Sequence, residues 1–362
     1  MKITKVTADL YRVPVHREMH DAVREFSVLD LVLAHVETDE GVSGLGFTYN
    51  IIPHGGREIC SLINGAIACL IRGLDPRGHE RVWYQMWRRM DWVGRGGIAV
   101  PAVAAVDIAL WDLTGKRQGA PLWRLLGGSN PRVKVYAGGV DLHFSLDALK
   151  DQARRFLARG YGAIKMKVGR PRLSEDITRV RAIRELIGPD VPLMVDANMG
   201  WTAEQAIRAS RALEEFDIYW LEEPTIPDDL AGHVRIAREG ALPIATGENF
   251  HTLYEFQNFI KAGAVAFPEP DISNCGGITV WMKVAHMAQA HNLSVTSHGV
   301  HDLHVHTLAA VPNASYLEGH GFGLEQYLTH PLQIEKGEAI APDRPGHGVE
   351  LNWEKLEAHR VK

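Results

Sequence analysis

The chain has 362 residues, 46% hydrophobic and 23% charged, which supports a large folded core and excludes a disordered or fibrous protein. Lys+Arg 39 against Asp+Glu 44 leaves a formal charge of −5, with no basic footprint for nucleic acid or an anionic membrane. Three widely spaced cysteines, Cys60, Cys69 and Cys275, argue against a disulfide framework and for a reducing, cytoplasmic setting.

The N-terminus alternates apolar and polar residues from Lys2 to Val13, as a strand does, and carries no signal-like apolar run. A second strand is predicted over Leu29–Thr38, closed by the turn Asp39-Glu40-Gly41. Helical patterns follow over Ile59–Leu70, Glu80–Met90 and Ala99–Arg117. The most apolar stretch, Ile98–Leu113, is broken by Pro101 and Asp107 and reads as a buried helix rather than a membrane span. Strands followed by helices make residues 1–130 an α+β segment.

From Pro131 the texture changes. Eight short β-rich runs alternate with helical segments: Val133–Tyr136, Ala163–Val168, Leu193–Ala197, Ile218–Glu222, Pro243–Thr246, Val265–Phe267, Leu293–Thr296 and Ser315–Leu317. Capping boxes at Thr202…Gln205 and Thr252…Glu255 mark two helix starts. Eight such units in series predict a (β/α)8-type barrel over 131–323. An open doubly wound sheet is the alternative, but neither GxGxxG nor GxxxxGK[ST] is present. Residues 324–362, with Pro331, Pro342 and Pro345, are expected to fold back on the N-terminal segment and complete it as a capping domain.

Chemistry-bearing residues recur where the barrel runs end: Lys165 and Lys167, Asp196, Glu222, Glu248, Asp271, His298 and Glu318. Active sites of such barrels form at the carboxyl ends of the strands. A lone acid there can be a helix cap or half of an ion pair. Three in adjacent units, Asp196, Glu222 and Glu248, crowd negative charge that a cation must neutralise, and all-oxygen ligands favour one Mg²⁺. Lys165 and Lys167 share a face of their strand. Pointing inward beside the carboxylates, a lysine there can have a lowered pKa and act as a base; pointing outward, both would be ordinary surface groups. His298 can be a satisfied core histidine or a base whose tautomer Asp271 fixes. His301, His304 and His306 imitate a metal cluster but lie in a helical segment, and are read as supporting groups.

This set, in this order, resembles the enolase superfamily, specifically its mandelate racemase subgroup. The segment Ala105-Val106-Asp107-Ile108-Ala109-Leu110-Trp111-Asp112 and the later Leu125-Leu126-Gly127-Gly128 are typical of that superfamily's capping domain. Val93-Gly94-Arg95-Gly96-Gly97, Glu248-Asn249-Phe250-His251-Thr252 and Asp271-Ile272-Ser273-Asn274-Cys275-Gly276-Gly277 look like its acid-sugar branch. The resemblance implies abstraction of a proton α to a carboxylate, giving an enediolate stabilised by Mg²⁺. It implies Asp196, Glu222 and Glu248 as ligands, and Lys167 and His298 as bases on opposite faces, His298 oriented by Asp271. Lys165 would bond a substrate oxygen and keep the pKa of Lys167 low. Glu318 would donate to the other oxygen, and Asn198 would line the wall. Dehydration of an aldonate or aldarate is the first expectation; cycloisomerisation of an anhydro-sugar acid and racemisation or epimerisation are the alternatives.

Loops near 14–30 and 47–57 are expected to close the mouth and contact a hydroxylated substrate through His16, Arg17, His20, Arg24, Tyr49 and His54, with Arg95 reaching a distal group. A Schiff-base aldolase using Lys167 and a sugar-acid binding module are the rival classes. The expected partners are a small sugar acid and further copies of the chain, from dimer to octamer, with no nucleic acid and no membrane.

Overall fold

The computed structural model describes residues 1–51, 55–320 and 323–362, apart from the side chains of residues 16–18. Three antiparallel strands open the chain, β1 (Ile3–His20), β2 (Glu25–Thr38) and β3 (Ser43–Asn50), in the order β1-β2-β3. One face of β1 and β2, including Val6, Leu10, Val32 and Val36, packs on the segment Gly56–Ile71 and the helix Ala99–Gln118. Within Gly56–Ile71 one turn, Ile63–Ile67, is a π-helix. The helix Ala99–Gln118 is buried along most of its length, as its unbroken apolar run requires.

Strand β3 crosses that helix so closely that only glycine fits. A Cβ on Gly46 would stand 2.0 Å from the Ala105 carbonyl oxygen. Gly46→Ala is therefore expected to lower unfolding free energy by about 3 kcal/mol, through overpacking that neither rigid element can relieve. Chemical denaturation checks this; an unchanged midpoint would mean the two elements can separate freely.

The second part is a parallel barrel. β4 (Arg132–Gly138), β5 (Ala163–Lys167), β6 (Leu193–Asp196), β7 (Ile218–Glu222), β8 (Ile244–Thr246) and β9 (Phe267–Pro268) pair in sequence, and β10 (Leu317–Glu318) pairs back onto β4. The seventh predicted run is not a strand. It contributes an isolated bridge, Val295 to Ala314, and a hydrogen bond from the Thr296 N–H to the Pro268 carbonyl at 3.0 Å, and so spans the gap between β9 and β10. Both capping boxes form, at Thr202 and Thr252, each opening a helix.

Strand alternation sorts the side chains. Ile164, Met166 and Val195 join the apolar layer between strands and helices. Tyr136, Ala163, Met194 and Trp220 form a separate apolar cluster, with Tyr136 and Trp220 packed edge to face at 5.5 Å. Lys165 and Lys167 share the face of Ala163, so they continue that cluster toward the carboxyl ends of the strands.

The expected mouth loop at 14–30 is mostly hairpin instead, with Pro14 paired to Val28 and His20 to Glu25, and its turn at Asp21–Arg24. The tail also departs from expectation. It returns to β1 at the Val361 N–H to Leu10 carbonyl bond, but first forms β11 (Gln333–Glu335) and β12 (Glu338–Ile340), and β12 adds antiparallel to β4 on the barrel. Among the described residues no helix is long and apolar enough to cross a membrane.

Candidate active site

The parallel register builds the site. Lys167 lies beside Asp196 across β5 and β6, and Asp196 beside Glu222 across β6 and β7, so three charged side chains form one row. Glu248 follows β8, presented by Gly247 at φ +143°, where a Cβ would meet Phe256 at 2.6 Å and the Glu269 carbonyl at 3.0 Å. Oxygens of Asp196, Glu222 and Glu248 lie within 4.8 Å of one another, and all three residues are buried. This is an oxygen donor set suited to a divalent cation.

The charges around it are unbalanced. Burial pushes the Glu222 carboxyl up to about 8; Lys165 opposes that shift, while the negative charges of Asp196 and Glu318 add to it. Burial likewise opposes the charge on Lys167, but Asp196 outweighs it and holds the ammonium above its ordinary range. Lys167 Nζ donates to Asp196 Oδ2; Lys165 Nζ donates to Glu222 Oε1 and lies 2.9 Å from Glu318 Oε1. The expected lowering of the Lys167 pKa is thus absent when the carboxylates face the lysines directly. Glu318 also departs from expectation. Burial would raise it, but Lys165 and His298 hold it well below the usual range. Its Oε2 accepts from the Gly299 N–H at 2.7 Å.

His298 approaches from the seventh segment. Its Nδ1 is 2.9 Å from Asp271 Oδ2 and its Nε2 is 3.2 Å from Glu248 Oε2. Burial opposes protonation, yet Glu248 and the Asp271 hydrogen bond raise the imidazole to about 10. Asp271 Oδ1 accepts from the N–H and hydroxyl of Ser273, both at 2.7 Å.

A cavity of about 400 Å³ opens over this cluster, lined by Lys167, Asn198, Glu248, Asp271 and His298 on the barrel side. The cap supplies Arg24 and Tyr49, both expected, together with Asp21, Phe26 and Ile98, which no spacing in the sequence marks. Asn249, His251 and Asn274 also line it; they lie inside the quoted acid-sugar stretches but carried no assigned role. Lys165, Asp196, Glu222 and Glu318 are not among the lining residues and stand behind that surface. Asn198 has φ +39°, and its Oδ1 is buried without a hydrogen-bond partner.

Arg95 is not among the residues lining the cavity; its guanidinium lies 4.5 Å over the Trp87 ring, a cation–π contact. His20 is also outside the lining, its ring centroid 4.1 Å from that of His143 with the planes tilted by 44°. The side chains of His16 and Arg17, and His54 altogether, lie outside the described residues. His301, His304 and His306 sit in the buried helix His301–Leu308. His304 Nε2 accepts from the Ile272 N–H at 3.1 Å and His306 Nδ1 from the Trp123 N–H at 3.3 Å, so both brace backbone. A larger groove, about 780 Å³, lies between Trp123, Arg124 and the tail, away from the carboxylate cluster.

With this geometry in place, the comparisons with known proteins agree on both halves. Residues 3–127 match the N-terminal domain of mandelate racemase / muconate lactonizing enzyme, and residues 148–355 match the enolase C-terminal domain-like family. The chain is similar to 3,6-anhydro-alpha-L-galactonate cycloisomerase of Streptomyces coelicolor, 52% identical over 98% of each chain. A racemase from the same organism, solved with bound magnesium, superposes with TM-score 0.96 at 50% identity, covering 99% of this chain and 100% of that one. L-Talarate dehydratase from Polaromonas sp. JS666, complexed with Mg and L-glucarate, superposes with TM-score 0.94 at 34% identity, covering 100% and 98%.

Proposed function

The chain belongs to the mandelate racemase / muconate lactonizing enzyme family, and on that premise we propose that it removes the proton α to the carboxylate of a sugar acid with the help of one Mg²⁺. One observation carries the reading. Two nitrogen bases, Lys167 and His298, enter one cavity from strand positions separated around the barrel, over three clustered carboxylates. Asp196, Glu222 and Glu248 would hold the cation, and their buried, mutually repelling charges fit it. Mg²⁺ when bound supplies positive charge at the substrate carboxylate, which makes the α-proton more acidic.

Lys167 takes that proton at Nζ. In the same assignment, neutralised carboxylates release Lys167 from Asp196, and Lys165 keeps its neighbour's charge unfavourable. His298, its Nδ1 held by Asp271, delivers a proton from Nε2 to the leaving oxygen on the β-carbon. Glu318 anchors Lys165 and the Gly299 backbone. Arg24 and Asn198 would meet the hydroxyls farther along the chain; a polar wall suits a hydroxylated substrate.

Among the outcomes open to these residues, the 52% identity to a cycloisomerase favours cycloisomerisation of an anhydro-sugar acid. There the leaving oxygen is the ring ether. The α-carbon–hydrogen and β-carbon–oxygen bonds break, the ring oxygen gains the proton, and the enol tautomerises to a 2-keto-3-deoxy acid with nothing lost. Dehydration of an open-chain aldonate or aldarate is the second reading, favoured by the likeness to L-talarate dehydratase. It needs the same groups but releases water.

Purified protein with Mg²⁺ should be offered a panel of anhydro- and open-chain sugar acids and the products weighed. An isomeric 2-keto-3-deoxy product supports the first reading. A product lighter by one water supports the second, and a substrate epimer would mark a racemase or epimerase. No change in any acid would remove the reading. A domain division at 1–130 with 324–362 against 131–323, with the tail crossing between the two parts through β12 on β4, a homo-oligomer, and a cytoplasmic location belong to the same proposal. In support, β4 begins at Arg132, Trp92 is 97% exposed on the cap, and all three cysteines are unpaired.

A further inference from the structure

Sequence reading places Tyr49 against the substrate, yet its hydroxyl is spent elsewhere. Tyr49 lies on β3 of the cap, and its Oη donates to Asp271 Oδ2 at 2.8 Å, the oxygen that holds His298 Nδ1 at 2.9 Å. The same hydroxyl is 3.5 Å from His298 Nδ1, so phenol, carboxylate and imidazole share one point. Since Oδ1 is taken by the two Ser273 donors, each lone-pair direction of Asp271 is defined. The neighbouring Thr48 hydroxyl donates to the Ser273 carbonyl at 3.0 Å, so consecutive residues of one cap strand brace both ends of this segment.

We propose that Tyr49 is a positioning residue for the Asp271–His298 pair, completing a cap-to-barrel triad that aims the imidazole at the substrate. The inference rests on the proton-abstraction reading above. Tyr49 holds its proton firmly, because burial and the facing Asp271 charge both raise its pKa, so it serves as a permanent donor. As a donor it steadies the carboxylate without competing for the imidazole proton. Supporting hydrogen bonds to metal-ligating histidines are worth about 10–100-fold in activity, and the lower end of that range is expected for a supported acid–base histidine.

The test is Tyr49→Phe, which keeps the ring and its packing, made in the wild-type and the His298→Asn backgrounds with Mg²⁺ present. Two quantities are followed, product formation and α-hydrogen exchange in D₂O. The expected result is a kcat for product lowered by about ten-fold with little change in KM, and an exchange rate through Lys167 that Tyr49→Phe leaves unchanged in the His298→Asn background. A raised KM at unchanged kcat would overturn the proposal in favour of substrate contact. An equal fall of exchange in both backgrounds would overturn it in favour of a general structural role. A third readout needs no turnover: the proton resonance of the His298 Nδ1–H should shift in Tyr49→Phe, and an unmoved resonance counts against the triad. If the wild type exchanges no α-hydrogen in any sugar acid, the functional reading fails, while the resonance still decides the role of Tyr49.

Discussion

Replacing His298 with asparagine is expected to lower product formation by about a thousand-fold while leaving α-hydrogen exchange through Lys167 measurable, a size typical of a lost general acid. Asparagine is close in size and can still donate an amide N–H toward Asp271 Oδ2, where His298 Nδ1 now sits at 2.9 Å. What it lacks is a nitrogen that gives up and recovers a proton. Departure of the β-oxygen therefore stalls, whereas removal of the α-proton, assigned to the other side of the cavity, continues. Proton NMR of substrate in D₂O reads the exchange directly. Undiminished product formation would take His298 out of the mechanism, and equal loss of both signals would place it at the abstraction step.

Chelation should abolish product formation and Mg²⁺ should restore it, with Glu222→Gln weakening the metal by more than about 100-fold. The bound on the second effect comes from supporting groups around metals, whose loss alone costs 10–100-fold. Gln keeps the shape of Glu222, including an oxygen able to accept the Trp220 Nε1–H bond, now 3.0 Å at Oε2. It removes one negative charge from a buried three-carboxylate cluster in which every oxygen counts. Titration calorimetry with Mg²⁺ measures this, and an unchanged isotherm would break the ligand assignment. A Schiff-base aldolase would behave oppositely: indifferent to chelation, and trapped by borohydride at Lys167.

The row of charges was legible because a barrel strand has period two and a register that repeats. Once Lys167, Asp196 and Glu222 are put at three consecutive strand ends, their adjacency follows. The cavity wall was not legible to the same degree. Asp21 and Phe26 reach it because β1 and β2 run on far beyond Val13 and carry their turn over the mouth. That reach depends on strand length, which alternation at the N-terminus does not set. Arg95 stands outside that wall for a different reason: its flanking glycines suggest a substrate loop, but an aromatic neighbour eight residues back, Trp87, is a competing site for a guanidinium. The electrostatic surroundings of Glu318 and Lys167 were beyond sequence altogether, since they depend on which charge is nearest within a few ångströms.

The cap is stitched to the segment after β9 at several points. Trp83 Nε1 donates to the Gly276 carbonyl at 2.7 Å, Trp111 Nε1 bonds Thr279 Oγ1 at 3.0 Å, and Asp107 accepts from the Thr279 N–H and hydroxyl. The cap is consequently not a module that recombination can exchange freely. A chimera bringing in a foreign N-terminal part would disturb the frame of Asp271 before it altered any substrate preference. The hairpin turn at Asp21–Arg24 lies far from these stitches in the chain. That turn has its own tie to the barrel, the Leu142 N–H donating to the His20 carbonyl at 3.2 Å beside Asp141, which accepts from the Lys167 N–H, so a graft there has to keep this bond to leave Lys167 in place.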